Sequence, residues 1–373
     1  MRAYSIMNLL GCSSQDLKAW VDEMGEKPFR ATQLIKWIHQ KGVSSFDEMS
    51  DLSKAFREKL HEMAEVTPPR VQEHHVSSDG TLKWLFETGS GSAIETVYIP
   101  EPKRQTLCIS SQVGCTLNCR FCSTGHQGFQ RHLSASEIIG QLWVVQQHCL
   151  KHDLPTPSNI VMMGMGEPLL NLDAVIPALS LMLDDNAYGL SKRRVTVSTS
   201  GVVPQLDRLL KEVDVALAVS LHAPNNALRD ILVPINKKYP VEVLMEACKQ
   251  YVQHERKRVV TMEYVMLEKV NDEVAHAKEL ARLLKDVPCK INLIPFNPFP
   301  GSTFKCSSNN RMRTFQEILL KAGYITTIRK TRGQDIDAAC GQLAGQVQDK
   351  TSRSRRLKEN PFVFPTDVVT TSA

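Results

Sequence analysis

The spacing of apolar positions changes character twice along this chain. Over the first 64 residues it is helical: Leu17, Trp20, Val21 and Met24 make one stripe, with Ser13 or Ser14 placed to cap it. Pro28 suits a first helical turn, and Leu34, Ile35 and Ile38 continue a second stripe that stops at Gly42. Leu52, Phe56 and Leu60 mark a third helix. From Arg70 the period becomes that of strands. Segments 70–77 and 81–88 flank Asp79-Gly80, a dipeptide suited to a tight hairpin turn, and 94–99 and 106–109 read as further strands.

Beyond residue 122 strands alternate with helices. Ser134-Ala-Ser-Glu137 has the form of a capping box and opens a helix to Leu150. Strands are expected at 159–163, 194–198, 215–221, 259–265 and 290–294, and helices at 172–183, 241–253 and 272–284. Such alternation predicts parallel strands joined by crossover helices. With the strand before residue 110 there are six, too few for a closed eight-stranded barrel. The fold class is therefore α/β, an open partial (β/α)6 barrel with a small N-terminal all-helical domain. We divide the chain into a helical accessory domain (1–64), a β-hairpin linker or extension (65–104), the barrel with a late cysteine loop (105–345), and a basic, then disordered tail (346–373). The helical domain is either a nucleic-acid docking module or a plain cap on the barrel.

Composition narrows the class. Hydrophobic residues make up 42% and charged residues 23%, as in ordinary globular proteins. No apolar run approaches the ~18–20 residues of a membrane span, and the first ten residues lack the layout of a signal peptide. Ten cysteines without export signals point to a reducing, cytoplasmic setting in which thiols serve metals or catalysis. A monomer is expected. The net charge of +5 is concentrated: eight Lys/Arg between Arg329 and Lys358 face three acidic residues, a footprint suited to phosphate backbones or to a solvated tail.

The chemistry centres on Cys115-Thr-Leu-Asn-Cys119-Arg-Phe-Cys122. A closed zinc site wants four ligands, and a four-iron cubane normally takes one thiolate per iron. Three thiolates on a cubane leave one iron open to a reactant. Polar and glycine-rich pieces fall at the expected carboxyl ends of strands, where α/β folds bind ligands. They include Gly164-Met-Gly166-Glu167-Pro168, Ser198, Ser220-Leu221-His222 and Asn297.

The cysteine spacing is the signature of the radical S-adenosylmethionine superfamily, and Gly164–Pro168 is similar to its "GGEP" element. Together with Ser220-Leu-His222-Ala-Pro224, Asn297-Pro298 and Asp337-Ala-Ala-Cys340-Gly-Gln-Leu343, the chain resembles the RlmN family, dual-specificity methyltransferases that modify carbon 2 of adenosine 2503 in 23S rRNA and adenosine 37 in tRNA. The resemblance implies a [4Fe-4S] cluster on Cys115, Cys119 and Cys122, and S-adenosylmethionine used twice per methylation. It implies cofactor contacts from Gly166, Glu167, Ser198, Ser220, Leu221, His222 and Asn297, and an electron donor such as flavodoxin. It also assigns Cys340 as methyl carrier, Cys108 as the second catalytic cysteine that ends in a disulfide with Cys340, and Glu95 as proton acceptor. Alternatives are a carbon-8 adenine methyltransferase of the related antibiotic-resistance family, a metal-stabilised RNA-binding module without catalysis, and an iron–sulfur electron carrier.

Overall fold

A computed structural model describes residues 6–89, 91–253, 255, 257–360 and 362–365. The N-terminal module holds β1 (Met7–Asn8), α1 (Ser14–Glu23), α2 (Phe29–Ile35), a π-helical turn at Lys36–Gln40, and α3 (Lys54–Met63), closed by β2 (Ala64–Glu65). Ser13 caps α1 in a reciprocal box with Asp16, and Ser53 caps α3. The module is not all-helical as expected from its periodicity. β1 and β2 pair in parallel, Met7 opposite Ala64, and clasp its two ends.

The next strands are β3 (Val71–Val76), β4 (Leu82–Thr88), β5 (Ser92–Glu101) and β6 (Arg104–Cys108). A small antiparallel pair, β7 (Gln112–Gly114) and β8 (Phe129–His132), flanks the one-turn helix α4 (Ser123–His126). The alternating part runs α5 (Ala135–Lys151), β9 (Asn159–Met162), α6 (Leu172–Leu183), β10 (Val195–Thr199), α7 (Pro204–Glu212), β11 (Ala216–Ser220), α8 (Asn226–Leu232), α9 (Val241–Gln253), β12 (Val260–Met266), α10 (Val274–Leu283), β13 (Cys289–Pro295), α11 (Asn309–Lys321) and β14 (Thr326–Ile328). The expected capping box at Ser134–Glu137 is present. Helices α7 and α8 were not among the expected elements.

Ten strands form one sheet in the order β14-β13-β12-β11-β10-β9-β6-β5-β4-β3. From β6 to β14 neighbours pair in parallel, so the described parallel strands number seven rather than the expected six. The addition is β14, short but in register with β13 through Thr326 opposite Ile291. The antiparallel strands β3 to β5 continue the same sheet, with Val97 opposite Cys108. The hairpin region thus extends the barrel sheet.

One apolar core runs from Leu9 and Leu10 through the barrel, and a second cluster lies under the cysteine loop around Leu228, Val265, Phe296 and Phe304. The module seats on the barrel helices: the Trp143 indole donates to Ile38 O at 2.7 Å, and buried His39 meets the Tyr188 hydroxyl at 3.2 Å. The basic segment forms α12 (Arg353–Glu359); in the stretch from Glu359 for which disorder is expected, Phe362 and Phe364 pack on Phe304. Residues 366–373, included in that expectation, lie outside the described residues.

Candidate active site

The cysteine loop hangs from the β7–β8 pair. Gly114 takes φ +77, and the Cys115 amide donates to Gly128 O at 2.7 Å. All three thiols line one cavity at the carboxyl ends of the strands. Burial and the neighbouring thiols push Cys115 well above the ordinary thiol range, and burial takes Cys119 to about 12. Three mutually repelling buried thiols suit a site whose charge is balanced by iron. Backbone amides favour the thiolate forms, Leu117 that of Cys115 and Gly125 and Thr124 that of Cys122. Amide donors of this kind tune iron–sulfur clusters. Among the described residues no three His, Cys, Asp or Glu side chains close around a single ion, the arrangement a structural zinc needs. The three thiols share one cavity wall.

Gly166, Glu167, Ser198, Ser220 and His222 line the same cavity. Gly166 has φ +102, and a Cβ there would come within 2.5 Å of Gln112 Cβ. Glu167 turns its carboxylate onto backbone, accepting from Ser200 N at 2.8 Å and Leu169 N at 3.2 Å; burial nonetheless pushes its pKa up to about 7. His222 is held neutral by burial, its pKa down to about 3. Its Nδ1 accepts from Val265 N, and its ring packs edge-on to Phe121. Leu221 is fully buried and is not among the lining residues. Asn297 lines a second, adjoining cavity and donates to Cys340 O at 3.1 Å.

That second cavity, about 440 Å³, lies inside the barrel among Arg104, Arg193, Lys290, Lys330 and Arg332. Cys340, Glu263 and Arg329 line both cavities, so Cys340 stands where they meet. Cys340 is exposed, whereas Cys108 in β6 is half-buried, and desolvation and Cys340 push its thiol up to about 12. The two thiols and Arg329 therefore form one electrostatic group. Cys340 is the first cause of the raised Arg329 pKa, and Arg329 in turn favours the Cys108 thiolate.

The hairpin fixes the Cys340 loop. Asp335 accepts from the Ser77 hydroxyl at 2.5 Å and Ser78 N at 2.9 Å, and Asp79 accepts from Gly333 N at 3.1 Å. Glu95 does not line either cavity. Its carboxylate pairs with Lys83 at 3.0 Å and accepts from Ala344 N at 2.6 Å, which ties down the far side of the loop.

Some residues that build the site carry no signal in the sequence. Arg229 is fully buried and donates to the carbonyls of Ser200, Ser220 and Leu221, holding two strand ends in place. Glu263 is buried with Oε1 on Asn292 and Oε2 without a hydrogen-bond partner, 3.9 Å from Arg329. Two cations of the basic segment also face inward: Arg329 at the thiols, and Arg353 at the cysteine loop.

An open barrel of parallel strands, with three thiols of this spacing facing glycine-rich strand ends, defines a radical S-adenosylmethionine enzyme. Residues 109–281 match the model of the radical SAM superfamily, and residues 7–66 match that of the ribosomal RNA large subunit methyltransferase N-terminal domain. A radical SAM methyltransferase from Sphaerobacter thermophilus is 42% identical, covering 90% of this chain and 99% of its own, with a TM-score of 0.84. Streptococcus suis SuiB bound to S-adenosylmethionine (13% identity; 63% and 55% covered) gives a TM-score of 0.44. A domain of pyruvate-formate lyase-activating enzyme from Bacteroides vulgatus (17%; 46% and 99%) gives 0.36. The chain belongs to the RlmN family of radical S-adenosylmethionine methyltransferases. Its radical SAM domain implies a [4Fe-4S] cluster and S-adenosylmethionine. Among the described residues no helix is long and apolar enough to cross a membrane.

Proposed function

We propose that this protein methylates carbon 2 of adenosine in 23S rRNA (adenosine 2503) and in tRNA (adenosine 37), with Cys340 carrying the methyl group. The observation that carries this reading is the place of Cys340: an exposed thiol, electrostatically coupled to half-buried Cys108, at the junction of the cysteine-lined cavity and a cation-lined one. The N-terminal domain match to ribosomal RNA methyltransferases supports RNA as the substrate class. Carbon 2 of adenine lies between two ring nitrogens and is electron-poor, so direct displacement of a sulfonium methyl onto it is unfavourable. Bound cluster and S-adenosylmethionine supply radical chemistry that avoids this obstacle.

The chain's own residues divide the remaining work. Cys115, Cys119 and Cys122 would hold three irons of the cluster, and Gly166, Glu167, Ser198, Ser220, Leu221, His222 and Asn297 would shape the S-adenosylmethionine site by their backbone and polar atoms. Arg104, Arg193, Lys290 and Lys330 neutralise phosphates as an unstacked adenosine enters. Cys340 would take a methyl group from one S-adenosylmethionine, releasing S-adenosylhomocysteine; a second, with the cluster, would supply the radical that lets this carbon bond to carbon 2, joining Cys340 sulfur to the base. Once the carbon-2 proton has left and the odd electron has returned to the cluster, Cys108 would attack Cys340 sulfur and break its bond to that carbon, which takes up a proton as the new methyl group, leaving a disulfide that an external thiol reductant reopens. Glu95 is proposed to accept the carbon-2 proton, and its contact with Ala344 keeps it next to the carrier loop. A one-electron donor such as flavodoxin serves the cluster.

The test is anaerobic turnover on an rRNA fragment and a tRNA, with mass spectrometry locating the methyl group. Methylation at carbon 2, with one S-adenosylhomocysteine and one 5′-deoxyadenosine formed per methyl, is expected; methylation at carbon 8 or none refutes the reading. Cys340→Ala should lose methylation while keeping its iron. Cys108→Ala should accumulate RNA covalently bound to protein on denaturing gels.

A further inference from the structure

The cations at the end of the chain do not all face solvent. Arg353, the first residue of α12, lies 238 positions from Cys115 yet turns its guanidinium onto the cysteine loop. Its Nη1 donates to the carbonyls of Cys115 (3.0 Å), Leu117 (2.8 Å) and Gly125 (2.9 Å), and its Nη2 donates to Thr116 (3.0 Å). These acceptors bracket all three ligand cysteines.

The placement is built by the segment before it. Lys350 N donates to Phe129 O at 3.1 Å, which lays the chain on β8. Asp349 accepts from Thr351 N at 2.7 Å and Ser354 N at 2.8 Å, folding the turn that presents Arg353. Ser352 takes φ +57 in that turn, and at Gly128 a Cβ would fall 2.0 Å from the Asp349 carboxylate. The strap needs a glycine beneath it.

A planar trans peptide points its carbonyl and its amide N–H in opposite directions. Arg353 holds the oxygen of the Thr116–Leu117 peptide, and the amide of that same peptide favours the Cys115 thiolate. The Gly125 amide favours the Cys122 thiolate, and the Gly125 carbonyl is held by Arg353.

We propose that Arg353 is a positioning residue for the cluster. It aims the Thr116–Leu117 peptide at the Cys115 sulfur, holds the three-cysteine loop in its ligating shape, and places a permanent positive charge beside the site. An amide donor and a nearby cation both stabilise an added electron, so Arg353 raises the reduction potential of the cluster. The guanidinium fork is what the task needs: a lysine would keep the charge but not four directed donors. This inference rests on the enzyme class alone and is independent of the RNA substrate.

Anaerobically reconstituted wild type, Arg353→Met, Arg353→Lys and the exposed control Arg355→Met are compared in two ways. One is a redox titration followed by electron paramagnetic resonance, with titanium(III) citrate as reductant; the other is iron release to a chelator. Arg353→Met is expected to lower the midpoint potential and release iron roughly tenfold faster or more, the usual scale for losing an outer partner of a metal ligand. Arg353→Lys should stay nearer the wild-type potential yet still release iron faster, and Arg355→Met should match wild type. Wild-type potential and release rate in both Arg353 variants overturn the proposal. Thermal unfolding of the iron-free proteins separates positioning from folding. If Arg353→Met does not fold, Arg353→Lys carries the test, and loss of the cooperative transition in both also overturns it, since the residue would then be a fold determinant.

Discussion

Lys83→Met should loosen the loop that carries Cys340 by leaving a carboxylate buried without its cation. Lys83 and Glu95 are diagonal neighbours across β4 and β5, where Leu85 is opposite Glu95. Their charged ends are 3.0 Å apart, with side chains only 10% and 9% exposed. Lys83 also donates to Asp337 O at 3.5 Å, while Glu95 holds Ala344 N, so the pair grips the loop on both sides of Cys340. Removing one member of a buried pair costs about 3–5 kcal/mol, a large part of the roughly 5–15 kcal/mol that holds a typical domain. Replacing both, Lys83→Met with Glu95→Gln, buries no unpaired charge and should recover at least about 2 kcal/mol of that loss. Urea unfolding of the iron-free proteins measures the cycle, and the alkylation rate of Cys340 reports the loop. Single-variant effects that simply add within about 0.5 kcal/mol would falsify the coupling. The same series separates two roles of Glu95. The double variant keeps an oxygen for the Ala344 amide and buries no unpaired charge, so if Glu95 is a proton acceptor it loses methylation while Cys340 alkylation stays at the wild-type rate; if Glu95 is a mere anchor it keeps methylation.

Gly128→Ala should displace the Asp349 turn, because φ is +83 and the new Cβ meets the carboxylate at 2.0 Å; faster iron release at little change in unfolding midpoint is the expected result. Glu167 is raised by burial from 4.5 to about 7, so its contribution is fully favourable below pH 4.5 and falls away as pH rises to about 7. At about 1.4 kcal/mol per pH unit the loss totals about 3 kcal/mol, and Glu167→Gln should flatten the stability of the iron-free protein across that window. His39 runs the other way. Burial lowers it from 6.5 to about 3 against the pull of Asp184, so stability present above pH 6.5 is lost as pH falls towards 3. Acid titration of Trp37 and Trp143 fluorescence should show the N-terminal module parting from the barrel, and His39→Gln should remove the dependence in that range.

What could be read from the residues alone follows the range of the interaction. Helical and strand periods, the Asp79-Gly80 hairpin and the Ser134–Glu137 box are local, and each appears within a residue or two of its expected place. The three clustered cysteines, Cys115, Cys119 and Cys122, are local as well, since eight residues contain them. The place of β14 in the parallel sheet depends on pairing with β13, which no period encodes. The seat of Cys340 is the extreme case. It is set by Asp335 on Ser77, Asp79 on Gly333 and Glu95 on Ala344, contacts spanning about 250 positions that leave no pattern in any window. Arg329 and Arg353 fail for a related reason: composition counts them with a phosphate-binding segment, and only the fold shows which cations turn inward. The site therefore depends on its scaffold in one direction. The cysteine loop and strand ends belong to the barrel, whereas the Cys340 loop is held by the hairpin strands and the final turn over β8 holds the cysteine loop alone. A chain ending before Lys350 should thus keep the Cys340 anchors while losing the Arg353 clamp. Such a truncation should slow Cys340 alkylation no less than wild type, yet bind iron weakly; equal iron retention in the two proteins would show that the strap adds nothing to the loop.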